Sequence, residues 1–168
     1  SGGTPHGGLL PTNDDNVFFD SNSTGTCTLD INGTCANLNF TDFTGTFTGS
    51  TNLNVYGSLT MDSSMTNTHT GTIYFLASSG TKTITSDTIV LPSLYFYNNG
   101  ATFQLIDNIT SNGLSFYLTS GITFDSNGKN LKFINTTNSN LGFNGYSNVY
   151  AHHGAASCSA LAGRQALS

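Results

Sequence analysis

The chain has 168 residues, enough for one domain with a real core, and only 8% of them are charged. Its formal net charge is -5, all nine acids are Asp, and the four cations (Lys82, Lys129, Lys132, Arg164) are too sparse to track a phosphate backbone, so nucleic acid is excluded as an expected partner. No apolar run approaches the roughly 18 residues of a membrane span. Glu and Trp are absent while Thr, Ser, Asn, Gly, Phe and Tyr abound, so the composition favours strands joined by turns over helices.

Residues 1–16 read as an irregular opening segment. They hold two of the three prolines and the run Asn13-Asp14-Asp15-Asn16, whose side chains suit turns; the spaced pattern and glycine of a calcium loop are missing. The chain opens Ser1-Gly2-Gly3 without a Met, as a processed product or fragment would. Val17-Phe18-Phe19 is the first expected strand.

From Thr24 to Ser50 short strands alternate with glycine turns, over Cys27 to Ile31, Cys35 to Phe40 and Thr44 to Thr48. An Asn32-Gly33 turn joins the first two, which makes a Cys27–Cys35 disulfide geometrically possible; two small buried thiols in a stack are the alternative. Sequons at Asn22, Asn32, Asn39, Asn108 and Asn135 are no more than so Asn- and Thr-rich a chain produces by chance.

Between Leu53 and Ile134 one phrase recurs: Leu53-Asn54-Val55-Tyr56, Ile73-Tyr74-Phe75-Leu76, Leu94-Tyr95-Phe96-Tyr97, Leu114-Ser115-Phe116-Tyr117, Leu131-Lys132-Phe133-Ile134. The starts lie 20, 21, 20 and 17 residues apart. A period near 20 with alternation inside each phrase is the signature of a parallel β-solenoid, whose coils cannot bury a core alone. Positions one and three are expected to face inward and stack. Leu38-Asn39-Phe40 matches the phrase as a shorter first coil, and Gly80, Gly100 and Gly121 mark a shared corner.

A second strand per coil is expected near Ile84, Phe103 with Leu105, and Ile122 with Phe124, and a third near Ile89 and Ile109. Aligning the glycines turns Thr83 inward and Ile84 outward, which calls for a bulge there. The expected fold is therefore all-β, a parallel β-solenoid (β-helix) of about five to six coils with roughly 20 residues each, over residues 17–142. Residues 143–168, where Ala, Leu and His appear, form a C-terminal cap or tail.

The outward column Tyr56, Leu76, Tyr97, Tyr117, with Ile134 below, runs beside Asn54, Tyr74, Tyr95 and Ser115. Phenol rings about 5 Å apart offer apolar bodies and polar tips to a partner chain or a sugar face. Asp87 and Asp107, seven residues after Gly80 and Gly100, are the carboxylates able to stack on adjacent coils, with Asp62 and Asp125 nearby. Such a pair can hold a cation or cleave a glycosidic bond, but no Arg, His or Lys follows at a matching offset, and turn residues are the simpler reading. His152, His153 and Cys158 lack a fourth metal ligand. No metal or cofactor is expected.

Threonine alternates in Thr44-Gly45-Thr46-Phe47-Thr48, Thr66-Asn67-Thr68-His69-Thr70 and Thr81-Lys82-Thr83-Ile84-Thr85. Arrays of this kind order water on ice-binding solenoids. The gaps from Thr46 to Thr68 to Thr83, 22 and 15, miss the coil period, so the strand preference of threonine explains them more simply.

Gly2-Gly3-Thr4, the passage from Leu10-Pro11-Thr12-Asn13-Asp14-Asp15-Asn16 to Asp20, Asn52 through Thr60 and Asp125-Ser126-Asn127-Gly128-Lys129-Asn130-Leu131 resemble the repetitive β-solenoid modules of phage virion proteins and bacterial surface proteins. The resemblance spans most of residues 1–142. It implies display on a virion or outside a cell, a structural or adhesive role, and self-association or contact with neighbouring subunits. In such modules a Trp-rich stretch precedes the Pro-Thr-Asn-Asp passage; its absence implies N-terminal truncation or processing. The expected function is a non-enzymatic structural or adhesive module. A carbohydrate-binding or polysaccharide-cleaving module is the first alternative and an ice-binding solenoid the second.

Overall fold

A computed structural model describes residues 9–97, 100–117, 123–134 and 141–144. The fold is all-β: three parallel sheets wind into a β-solenoid of about five turns, about 21 residues per turn. Sheet I stacks β1 (Val17–Phe18), β4 (Leu38–Asn39), β7 (Leu59–Thr60), β10 (Gly80–Thr85), β12 (Ala101–Leu105) and β14 (Thr123–Asp125) in that order. Sheet II stacks β2 (Thr26–Leu29), β5 (Thr46–Gly49) and β8 (Thr66–Asn67). Sheet III stacks β3 (Gly33–Cys35), β6 (Leu53–Val55), β9 (Ile73–Phe75), β11 (Val90–Tyr97) and β13 (Ile109–Tyr117), with β15 (Leu131–Phe133) and β16 (Leu141–Asn144) both pairing β13.

Three strands per coil hold for the first three coils. From the fourth onward the second and third merge into the longer β11 and β13, with Asn67 Nδ2 donating to the Val90 carbonyl (3.0 Å) where sheet II ends.

The repeated phrase lies where its alternation requires. Leu53, Ile73 and Leu94 pair in register, as do Val55, Phe75 and Phe96, and all six are buried. Two rungs differ from the sequence reading. Leu114 pairs with Leu141, whereas Leu131 pairs with Ile109, so the last rung of this column is Leu141-Gly142-Phe143-Asn144. At the other end the first rung is Gly33-Thr34-Cys35, while Leu38-Asn39 pairs with Leu59-Thr60 in sheet I. A phrase of two apolar residues fits any inward-facing strand, so local pattern alone cannot say which face it occupies.

Sheet I contains a one-residue correction. Gly80 pairs with Ala101, not Gly100, which sets Ile84 between Leu59 and Leu105, all three buried, and pairs Thr83 with Gln104 on the outer side. A slip of one residue exchanges the faces of a strand, so the bulge expected from the glycine alignment is unnecessary. Gly80 and Gly100 do take left-handed backbone (φ 70° and 91°) at their corner. Gly121 and Ile122 lie outside the described residues.

Inside the coils the aromatics form two stacks. Phe19 lies flat on Phe40 (centroids 4.8 Å), which touches Phe43 and Phe47. Higher up, Phe75 lies flat on Phe96 (4.8 Å), with Phe103 and Phe124 edge-on to Phe96 at 5.0 and 5.4 Å. Because a coil has no core of its own, this contact between successive coils is where apolar burial stabilises the fold.

Candidate functional site

The outward residues of sheet III carry the tyrosine strip. Tyr74 and Tyr95, opposite one another in β9 and β11, meet at 5.1 Å between ring centroids, and Tyr95 and Tyr97 meet at 6.4 Å. Tyr56, Leu76, Tyr74 and Tyr95 are half-buried, and Tyr97 is 43% exposed. Parallel pairing produces this: residues between the inward Leu or Ile and the inward Phe must point out, and register places tyrosine over tyrosine. Tyr117 pairs with Tyr97, so the backbone column continues one coil further, whereas Ile134 donates its N–H to Ser111 and is not in that column.

The aspartates occupy the corner after sheet I, where they hold coil to coil. Asp107 accepts the backbone N–H groups of Ser86 (2.9 and 3.1 Å to its two oxygens) and Asp87, plus the Ser86 hydroxyl (3.3 Å). Asp87 accepts the N–H of Ser63 (2.7 Å), and Asp62 accepts those of Asp42 (2.8 Å) and Ser64 (2.9 Å). The Ser64 hydroxyl first, then the N–H groups of Ser64 and Asp42, lower the Asp62 pKa by bonding its charged form. Asp125 accepts from the Gln104 side chain (2.8 Å). These carboxylates reach toward the preceding coil.

Asparagines elsewhere reach toward the following one. Asn16 Oδ1 accepts the N–H of Asn37 (3.2 Å), Asn37 Oδ1 that of Ser58 (2.7 Å), Asn32 Oδ1 that of Asn52 (3.0 Å), and Asn108 Oδ1 that of Asn130 (2.9 Å). The corners, where strand pairing lapses, thus still satisfy backbone donors. In the opening run, Asp15 accepts from the N–H and hydroxyl of Thr12 (2.9 and 2.7 Å), a local turn as expected.

Cys27 and Cys35 are free thiols. The pairing considered from the sequence needed an antiparallel hairpin at Asn32-Gly33. Instead the chain turns a solenoid corner there: Cys27 pairs with Phe47 in sheet II and Cys35 with Val55 in sheet III. Burial raises both thiol pKa values, that of Cys35 to about 12, which leaves it protonated and unreactive. No group of three or more His, Cys or Asp side chains able to hold a metal occurs among the described residues; His152, His153 and Cys158 lie outside them.

Two features escaped the sequence reading. His69 is buried (4% exposed) and packs against Phe47 with the rings tilted at 34° and their centroids 4.9 Å apart, with neither ring nitrogen hydrogen-bonded. The threonines of sheet II do repeat at the coil period: Thr26, Thr46 and Thr66 pair in register, as do Thr28 and Thr48, and Thr68 donates its N–H to Phe47 of the coil below (2.9 Å). Comparing Thr46 with Thr68 crossed two columns, which concealed the constant step of 20 residues.

Comparisons with protein families, curated proteins and solved structures returned no match. No helix among the described residues is long and apolar enough to cross a membrane.

Proposed function

We propose that this chain is a non-enzymatic contact module that presents the tyrosine face of sheet III to a protein partner, either another copy of itself or a neighbouring subunit of a surface assembly. The contact between Tyr74, Tyr95 and Tyr97 carries the reading. Tyrosine rings bury a large area at small entropic cost and keep a hydroxyl for hydrogen bonding, which is why they recur in interfaces. The resemblance to phage virion and bacterial surface modules supports an extracellular, cell-surface or virion setting. The aspartate corner favours a structural role over cleavage, because both Asp107 oxygens and one Asp87 oxygen accept backbone N–H groups of the preceding coil.

Light scattering at low and moderate concentration tests this on the unmodified chain and on Tyr95→Ser with Tyr97→Ser. A defined oligomer that weakens in the double variant, with unfolding unchanged, is the expected result. Unaltered assembly, or a monomer that binds glycans through these tyrosines, would remove the protein-contact reading. Polysaccharide cleavage abolished by Asp87→Asn with Asp107→Asn would replace it with an enzyme.

A further inference from the structure

Sheet II carries a second surface, on a different face from the tyrosines and independent of them. Thr26, Thr46 and Thr66 form one outward column, and Thr28, Thr48 and Thr68 another. Parallel pairing separates members of a column by about 4.8 Å, and two residues of strand rise separate the columns by about 6.6 Å. The four threonines of the first and third coils are exposed, and the two between them are half-buried.

Three properties set this array apart from ordinary strand threonine. First, among the described residues none of the six hydroxyls bonds to another protein group, whereas Thr51 and Thr70 nearby turn theirs to the carbonyls of Ile31 (2.7 Å) and Gly49 (3.4 Å). Second, no charged side chain stands between the columns; Asp30, Asp42 and Asp62 lie at the flanking corners. Third, the face is backed by packed side chains, with Phe47 and His69 buried behind β5 and just past β8. Threonine has a stiff χ1, so a rigid backing fixes methyl and hydroxyl positions alike.

We infer that this array binds ice: the methyls exclude disordered water from between the columns while the hydroxyls hold a two-dimensional layer of water in register with the crystal. The hydroxyl is both donor and acceptor, as lattice water is, and bridging waters bond nearly as well as direct partners. The shorter spacing of the array lies close to the a-axis oxygen repeat of ice. A charged or uneven surface would instead orient water around its own ions.

The test uses the full chain in assays of thermal hysteresis and of ice recrystallisation. Arrested growth and faceted crystals are expected from the unmodified chain, with complete loss in Thr46→Lys with Thr48→Lys and no change in Tyr95→Ser with Tyr97→Ser. Thr46→Ser with Thr48→Ser keeps the hydroxyls, removes the methyls, and is expected to lose most of the effect while remaining folded. Ice growth unaffected by the unmodified chain, or equally arrested by the lysine variant, would overturn the inference. Adsorption to crystalline chitin or cellulose without any effect on ice would also overturn it and assign the array to a solid sugar surface.

Discussion

The carboxylate of Asp87 accepts a hydrogen bond from the backbone N–H of Ser63, 24 residues earlier, at 2.7 Å. It belongs to a set of links in which Asp62, Asp87 and Asp107 each bond the backbone of the preceding coil. The carboxylates that looked most like chemistry thus each tie one coil to the coil before it.

Asp107→Ala removes the acceptor for two backbone N–H groups and leaves them partly buried without a partner. A destabilisation of about 1–3 kcal/mol is expected, measured by denaturant unfolding, with Asp107→Asn in between because its amide oxygen still accepts. An alanine variant as stable as the parent would show that water replaces the carboxylate fully.

Gly25 and Gly45 hold the same place in successive coils and should respond oppositely to alanine. A Cβ on Gly45 would come within 2.1 Å of the Gly25 carbonyl oxygen and 2.6 Å of the Phe43 ring, whereas one on Gly25 meets nothing within 4 Å. Neither has a positive φ. Gly45→Ala is expected to cost about 1–3 kcal/mol through forced separation of coils, and Gly25→Ala to be neutral or to gain about 0.5 kcal/mol from a stiffer unfolded chain. Thermal unfolding of the two variants decides the matter; equal effects would mean that the coils are not stacked at this spacing.

His69 should make stability depend on pH. Burial is the main cause of its lowered pKa, opposed more weakly by the nearby carbonyls of Gly49 and Thr48. The unfolded chain therefore takes up a proton near pH 6.5 while the folded chain resists it, so stability is complete above about pH 6.5 and falls as the pH drops through that value toward the folded pKa. The lowered Asp62 also loses stability on acidification, but only below about pH 4. His69→Phe, which keeps a ring against Phe47, should abolish the drop that sets in below about pH 6.5; parallel stability curves for variant and parent would count against a buried neutral imidazole.

Alternation within single strands was legible because it is local. Leu53-Asn54-Val55 and Ile73-Tyr74-Phe75 announce which residues face inward without reference to anything else, and the step of 20 announces that they stack. The same alternation placed Tyr74, Tyr95 and Tyr97 outward, so the candidate contact face could be named in advance. The threonine columns were equally present at a step of 20, in Thr26, Thr46 and Thr66, and were missed because coils were matched by runs of threonine instead of by period. His69 gave no such signal, since one histidine among threonines looks the same whether its ring is in or out.

The amino-acid sequence by itself determined an all-β solenoid, the length of its coil and the inward face of its commonest phrase, because side-chain direction in a strand has period two and a stack repeats its coil. Only the tertiary structure decided the register: that Ile84 lies between Leu59 and Leu105, that Leu141 and not Leu131 completes the Leu114 column, and that Cys27 and Cys35 belong to different sheets. Register depends on how corners of unequal length are absorbed, as in the 25 residues from Leu59 to Ile84 against 21 from Ile84 to Leu105. A one-residue difference there reverses every side chain that follows in the strand. The packed coils choose the alignment that buries Ile84, a choice no single coil contains.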